Sequence, residues 1–459
     1  MSAADSGAPV EEEIARWASG IEPADVPERV QRRVEDLLLD ALASALAGRT
    51  VPLVDRIEPV ARLFAGPGDC TVIGRGSAAP AAAVYLNAYA MTSATLCDVY
   101  RPGLCHVTPV TVPPLLALTE LSDATWENLV TAATVGFELT ARLASGLDYP
   151  ALRARGWHTP GVVGQIGAAA GGARLLGLGQ EETSSALAHA SLQAAGTFAA
   201  LGTEAVKFNQ ARGSMAGLLA LLMGRSGASA PERWLTAPDG GLVTTHSPGA
   251  DPERVTDGLG GHWELEEVSL RRWPAASSVQ SLIEACLEVA TEHGVRLEEI
   301  AAIEVRLPPS AYEVSGRGVW SDQLSAQQSA HWVAAAAIAD GDWWLDSNTP
   351  ERIADERLST FAETRVQVIS DETLDGAAVR VTVEREGRPA LVVSRSDAPG
   401  DPGRPLDRAT IVEKLRRCAA TLSGASQDGP AVAETIVELV SNARPTTRAR
   451  KLVAATRLA

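Results

Sequence analysis

The chain has 459 residues, and 40 Lys plus Arg against 57 Asp plus Glu leave a formal charge of −17. That acidic balance excludes a general nucleic-acid binder, which needs a basic stripe to neutralise phosphates. With 46% hydrophobic and 21% charged residues the composition is that of a folded globular chain, long enough for about two or three domains.

The amino-terminal stretch MSAADSGAPVEEEIARW is acidic, where a secretory signal needs a positive segment and then an apolar one. Apolar runs such as 215–223 fall well short of the ~20 residues of a spanning helix. A cytoplasmic protein with no membrane contact is therefore expected. From about residue 10 to 264 the hydrophobic periodicity is helical. Val30, Val34, Leu37, Leu38, Ala41 and Ala45 form one stripe, with Gly48 where a C-cap belongs. Pro80 opens a further helix, residues 122–147 predict a long one, and 161–176 predicts a helix so rich in Gly and Ala that its neighbours must approach closely. The pattern continues over 180–190 and 213–223.

Near residue 265 the period changes to two. Ile303, Val305 and Leu307, then Val366 and Val368, then Val379, Val381 and Val383 alternate with polar or small residues, and Glu386-Gly387-Arg388 turns into a strand at 391–394. Helices are expected at about 275–293 and 325–339. The segment 396–407, dense in Pro, Gly and Asp, reads as a linker before helical periodicity returns. The expected fold is mainly α: a large helical domain over 10–264, a smaller α+β lid domain inserted at 265–407, and a return to the helical domain over 408–459.

Cys70, Cys97, Cys105, Cys286 and Cys418 are odd in number and scattered, with no CxxC pair. They support neither a disulfide framework nor a zinc or iron–sulfur site. The run Gly161-Val-Val-Gly164-Gln-Ile-Gly167 follows no strand and continues as a helix, so it is helix packing, not a dinucleotide fingerprint. Two of the seven histidines stand apart. His106 lies in the irregular stretch CDVYRPGLCHVTPVTVPP, and His158 directly precedes the small-residue helix, where backbone N–H groups can meet a carboxylate. Lys207 and Arg212, on what reads as a short loop, can clamp carboxylates. No HxH or HxxxH pair points to a metal.

Six segments carry a family resemblance: LLLDALASALAG (37–48), TVIGRG with PAAAVYLNAYA (71–90), GWHTPGVVGQIGAAAGGARLLGL (156–178), GTEAVKFNQARGSMAGLLALL (202–222), AQQSAHWVAAAAI (326–338) and GRPLDRATIVEKL (403–415). In this order they are similar to the MmgE/PrpD family, which includes 2-methylcitrate dehydratase, cis-aconitate decarboxylase and iminodisuccinate epimerase. The resemblance covers about residues 10–420. It implies a helical domain with an α+β lid, a homodimer, a small-molecule site between the domains, and no metal or organic cofactor.

Carried over one residue at a time, the family's acidic motif is reduced to Asp98, and His106 matches the histidine of a His-Pro-Gly in which Val107 replaces the proline. His158 matches the histidine of a Gly-Phe-His element. Lys207 matches the family lysine after a one-residue shift, with Asn209 where a histidine is common. The lid motif departs most: Trp273 replaces its tyrosine, Ser277 its arginine and Gln280 its catalytic histidine. A glutamine cannot titrate near neutral pH, so it is neither acid nor base. The resemblance thus implies a cofactor-independent lyase or isomerase acting through an enolate-like intermediate. His106 would be the acid/base, His158 and Lys207 would bind the carboxylate or enolate, and Asp98 would orient one of them. Arg212, Gln280, Tyr312 and Trp273 are candidate substrate contacts. Dehydration, decarboxylation and epimerisation share that intermediate. Two other readings stand beside this one: a scaffold recruited as a cyclase or isomerase in secondary metabolism, motivated by Trp320, Trp332, Trp343 and Trp344, and a non-catalytic metabolite-binding homologue.

Overall fold

The computed structural model describes residues 8–63, 66–424 and 429–457, and is mainly helical. The chain divides between two units. One takes the chain up to Ser93, Cys97–Val268 and the chain from Asp407, and the other takes Ala94–Leu96 and Ser269–Leu406.

The first unit begins with α1 (Val10–Gly20), α2 (Glu28–Gly48), α3 (Pro52–Leu63), α4 (Pro80–Ser93) and α5 (Thr108–Ser122). It goes on through α6 (Trp126–Gly146), α7 (Tyr149–Ala154), α8 (Thr159–Leu176), α9 (Gln180–Ser191) and α10 (Ala205–Arg225). The stripe Val30, Val34, Leu37, Leu38, Ala41 and Ala45 is buried, as an amphipathic helix requires. Helix α8 packs against α5, α6, α9 and α10 and is buried over nearly its whole length. Its glycines make that possible. A Cβ on Gly167 would stand 1.9 Å from Thr140 Oγ1 and 2.5 Å from the Gly136 carbonyl of α6, and one on Gly164 would stand 2.6 Å from Val110 of α5.

Three helical expectations change. Gly48 is not a left-handed cap: it is the last residue of α2, and a Cβ there would meet the Ala90 carbonyl at 1.7 Å. The helix expected at 122–147 starts only at Trp126, because Asp123 takes a left-handed φ of 52° and Thr125 caps the new start through the Asn128 N–H. The stretch read as irregular contains the start of α5, although Pro109, Pro113 and Pro114 lie within it. Pro109 sits in the first turn, where no N–H is needed. Residues Thr108–Thr119 of α5 are all buried, so packing outweighs the two intrahelical hydrogen bonds that Pro113 and Pro114 remove.

Buried charge closes the unit. The Lys414 ammonium of the helix Arg408–Ala420 lies 2.5 Å from the Asp40 carboxylate of α2, both buried. The Arg142–Glu138 pair of α6, 2.6 Å apart, gathers the segment that follows it. Arg142 donates to the carbonyls of Val255, Asp257 and His262, and Glu138 accepts from the N–H groups of Glu264 and Leu265.

The second unit is built on a four-stranded sheet. Its strands are β1 (Ile300–Leu307), β2 (Val366–Ser370), β3 (Val379–Arg385) and β4 (Arg388–Arg395), in the order β2-β1-β3-β4. β1 pairs parallel with β2 (Val305 opposite Val368) and antiparallel with β3 (Val305 opposite Val381), and β3 pairs with β4 across the two-residue turn Glu386-Gly387. Alternation buries Ile303, Val305, Leu307, Val366, Val368, Val381 and Val383 on one face. Helices Gln280–Thr291, Ala330–Asp340 and Glu356–Arg365 pack against the sheet. The helix expected at 325–339 is split at Ser329, whose hydroxyl accepts from the Trp332 N–H and caps the second piece.

Gly167→Ala is expected to destabilise the protein by roughly 3 kcal/mol, because both neighbouring atoms belong to one rigid helix and cannot move aside. Urea unfolding followed by circular dichroism measures it; a loss below about 0.5 kcal/mol would show that α6 and α8 are free to part.

Candidate active site

Asp98 and His106 lie on either side of a short chain reversal in which Tyr100 and Cys105 exchange backbone hydrogen bonds. The Asp98 carboxylate accepts from the N–H groups of Val107 (2.7 Å) and Thr108 (3.0 Å) and from the Thr108 hydroxyl (2.5 Å). It therefore caps α5 from outside the helix, with its charge against the positive end of the dipole. The expected role of orienting His158 or Lys207 is thus corrected. What Asp98 orients is His106, through its backbone carbonyl, which stands 2.6 Å from Nδ1. A carbonyl only accepts, so Nδ1 carries the proton and the neutral ring keeps a lone pair on Nε2. The Cys97 thiol lies 3.9 Å from the same Nδ1.

His158 is the N-cap residue of α8 and is buried. Its N–H donates to the Gly196 carbonyl (3.0 Å), and Trp157 bridges Thr197, so residues 195–198 form a strap along the start of α8. Phe198 of the strap stands edge-on to the imidazole, with ring centroids 6.1 Å apart, and the Arg153 guanidinium carbon lies 3.7 Å from the Phe198 ring centroid. Burial, with help from the Lys207 ammonium and from His106 when that ring is protonated, holds His158 down to a pKa of about 3. His158 is therefore a neutral group across the physiological range, with His106 and Lys207 near enough to act on it.

Lys207 and Arg212 do not share a loop. Both lie on α10, which begins eight residues before the helical start at 213 expected from the sequence. Lys207 is buried in the first turn, where the helix dipole opposes a cation. Arg212 is corrected from a substrate clamp to a structural one. Its guanidinium donates to the carbonyls of Gln193 (2.9 Å), Gly161 (2.7 Å) and Ala195 (3.0 Å), which fastens the strap to α8. Asn209, three residues earlier, places its amide nitrogen 3.2 Å from His158 Nδ1. The sequence reading passed over Asn209 as a contact. The signal was the i, i+3 spacing of Asn209 and Arg212, which is visible once α10 is started at Ala205.

The candidates of the second unit have other partners. Gln280 opens the helix Gln280–Thr291, and its amide is used up by its own loop. Oε1 accepts from the N–H groups of Arg272 and Trp273, both at 3.1 Å, and Nε2 donates to the carbonyls of Trp273 (3.0 Å) and Ala275 (3.2 Å). A side-chain amide has two lone pairs and two N–H bonds, so no polar capacity is left for a substrate, and Gln280 is corrected from a ligand contact to a loop staple. Trp273 is buried, with the Arg272 guanidinium 5.0 Å from its ring. Tyr312 lines a cleft of about 600 Å³ together with Glu304, His331 and Glu363. The tryptophans of the second unit serve packing: Trp332 and Trp343 are inaccessible and donate to the carbonyls of Ser347 and Pro274, while half-buried Trp320 stacks on Trp332.

Comparison with known proteins gives two matches along the chain: the MmgE/PrpD N-terminal domain over residues 12–255 and the MmgE/PrpD C-terminal domain over residues 273–439. A cis-aconitate decarboxylase-like protein, oryM, of Aspergillus oryzae is 28% identical over 439 residues, 89% of this chain and 90% of its own. A cis-aconitate decarboxylase of Aspergillus terreus is 26% identical over 456 residues, 92% of each chain. The cis-aconitate decarboxylase of Homo sapiens is 24% identical over 347 residues, 72% of this chain and 71% of its own. Among the described residues no single helix is long and apolar enough to cross a membrane.

Asp98→Ala removes three hydrogen bonds from the start of α5 and is expected to lower stability by about 2 kcal/mol, read from the urea midpoint at unchanged slope. His158 gives a pH dependence. Between its ordinary value of 6.5 and its folded value of about 3, the unfolded chain binds a proton that the folded chain refuses. Stability therefore falls on acidification through that window and is regained as pH rises. The slope of unfolding free energy against pH should be shallower in His158→Gln than in the wild type, and equal slopes would show that His158 is protonated in the folded protein.

Proposed function

The chain belongs to the MmgE/PrpD family, and on that premise we propose that it is a lyase of the decarboxylase type. Its substrate is a small carboxylic acid, and the reaction passes through an enolate-like intermediate. The observation that carries this reading is the grouping of His106, His158 and Lys207 in one unit, with Lys207 buried against its helix dipole. A cation and two imidazoles in a desolvated setting suit one task well: stabilising negative charge that develops beside a carboxylate and moving one proton to or from carbon.

Each side chain then has a step. Loss of CO₂ breaks a carbon–carbon bond, and the electron pair delocalises into a neighbouring carboxylate or carbonyl as an enolate. The Lys207 ammonium neutralises that charge. His106 takes a proton from solvent on the Nε2 that the Asp98 carbonyl leaves open and delivers it to carbon. The other direction of transfer, from carbon to Nε2, would begin a dehydration or epimerisation. Decarboxylation is preferred because the relatives named above are cis-aconitate decarboxylases or resemble them. Gln280, saturated by its loop, takes no part in proton transfer, so the acid/base work falls to the first unit.

The test is incubation of the purified protein in D₂O with cis-aconitate, citrate and 2-methylcitrate, following CO₂ release and proton NMR. CO₂ release from cis-aconitate is expected, with one deuterium entering at carbon, and His106→Gln should lower kcat by about 100-fold or more with a smaller change in KM. Neither turnover nor exchange with any of the three, from folded wild-type protein, would overturn the reading.

A further inference from the structure

The two imidazoles of the first unit are each held at Nδ1, by partners of opposite kind. His106 Nδ1 faces a backbone carbonyl, which can only accept. His158 Nδ1 faces the Asn209 amide nitrogen, which can only donate. We propose that Asn209 is a positioning residue that fixes His158 in the Nε2–H tautomer, so that the two histidines present complementary edges, a lone pair on His106 and a proton donor on His158.

The orientation of the amide is decided by its second contact. Asn209 Nδ2 lies 3.4 Å from the Thr197 carbonyl as well as 3.2 Å from His158 Nδ1. Turning the amide over would set its oxygen against that carbonyl, with no proton between two acceptors. The nitrogen therefore faces both, and one N–H goes to each. His158 Nδ1 accepts, so a neutral ring must carry its proton on Nε2.

The surroundings hold this arrangement rigidly. Asn209 is buried on α10, and its Cγ lies close under the strap. Gly196 has a φ of 110°, and a Cβ there would stand 3.0 Å from Asn209 Cγ and Oδ1, so only glycine admits the amide. Arg212 fastens the strap one turn further along α10, and the His158 N–H is bound to Gly196. Asn209 and His158 thus belong to elements tied together on both sides of their contact. Burial keeps the ring neutral, so the tautomer chosen by Asn209 is the form present.

The division of labour follows from the geometry. A neutral Nε2–H donates to a developing enolate oxygen without surrendering its proton, while the open Nε2 of His106 handles the proton at carbon. The use of the donor rests on the lyase reading; the tautomer does not, and the experiment separates the two. In full-length protein labelled with ¹⁵N-histidine, long-range ¹H–¹⁵N correlation near neutral pH reports which nitrogen of each ring bears hydrogen. His106→Gln and His158→Gln assign the signals. The expected result is Nε2–H for His158 and Nδ1–H for His106. Asn209→Asp offers only an acceptor and should move His158 to Nδ1–H while leaving His106 unchanged. Asn209→Ala should leave His158 as a mixture of tautomers. Turnover should fall about 100-fold in Asn209→Asp, in kcat more than in KM. An Nδ1–H or doubly protonated His158 in the wild type overturns the proposal whether or not either variant folds. A tautomer change without loss of turnover overturns the role of His158 as donor. A wild type without turnover counts against the proposed activity alone, since the tautomers are still read directly.

Discussion

The contact on which the first unit depends is the approach of α8 to the backbone of α6 at Gly167, where no atom beyond hydrogen fits between the helix and Thr140. A helix that can come so close is buried almost throughout, and its first residues are carried into the interior with it. His158 stands at that end. The same absence of side chains at Gly164 and Gly161 lets α5 and the strap close in, so the histidine and its neighbours are set by small residues that touch no substrate. Packing of this kind fixes positions to a fraction of an ångström, which is what proton transfer between side chain and carbon demands.

Around that seam the chain uses its backbone as chemistry. Asp98 has two roles with two groups: the carboxylate holds the start of α5, and the carbonyl holds the His106 ring. A carbonyl does not titrate, so the ring keeps its orientation whatever the pH. Arg212 spends a guanidinium on three carbonyls for a comparable purpose, and Gln280 spends an amide on the loop before its helix. Each is a polar side chain that looks like a ligand contact in a sequence and serves in the structure as a tie between backbone segments.

This explains what was legible in the sequence and what was not. The valine alternation at Val379, Val381 and Val383, the Glu386-Gly387 turn and the glycine-rich α8 depend on local periodicity and on residue size, and these are printed in the sequence. The three prolines of α5 hide a helix because its stability comes from burial and from a cap nine residues upstream. The early start of α10 is hidden for the same kind of reason, since Lys207 stands where a helix dipole disfavours it. His106 and His158 could be singled out by position alone, but the atoms that set their protons could not. A backbone carbonyl has no letter, and Asn209 meets His158 across 51 positions of sequence.

The prolines of α5 have a kinetic meaning as well. Pro113 and Pro114 deprive the carbonyls of Pro109 and Val110 of their helical donors, so the first two turns of α5 cannot propagate as an isolated segment. They form when the reversal carrying Asp98 and His106 has closed and supplied the cap. The reversal and the helix are in this sense one cooperative unit that opens and closes together. The turn that bears His106 is thereby tied through the Asp98 carboxylate to the start of a buried helix, and unwinding that start would cost the turn its anchor.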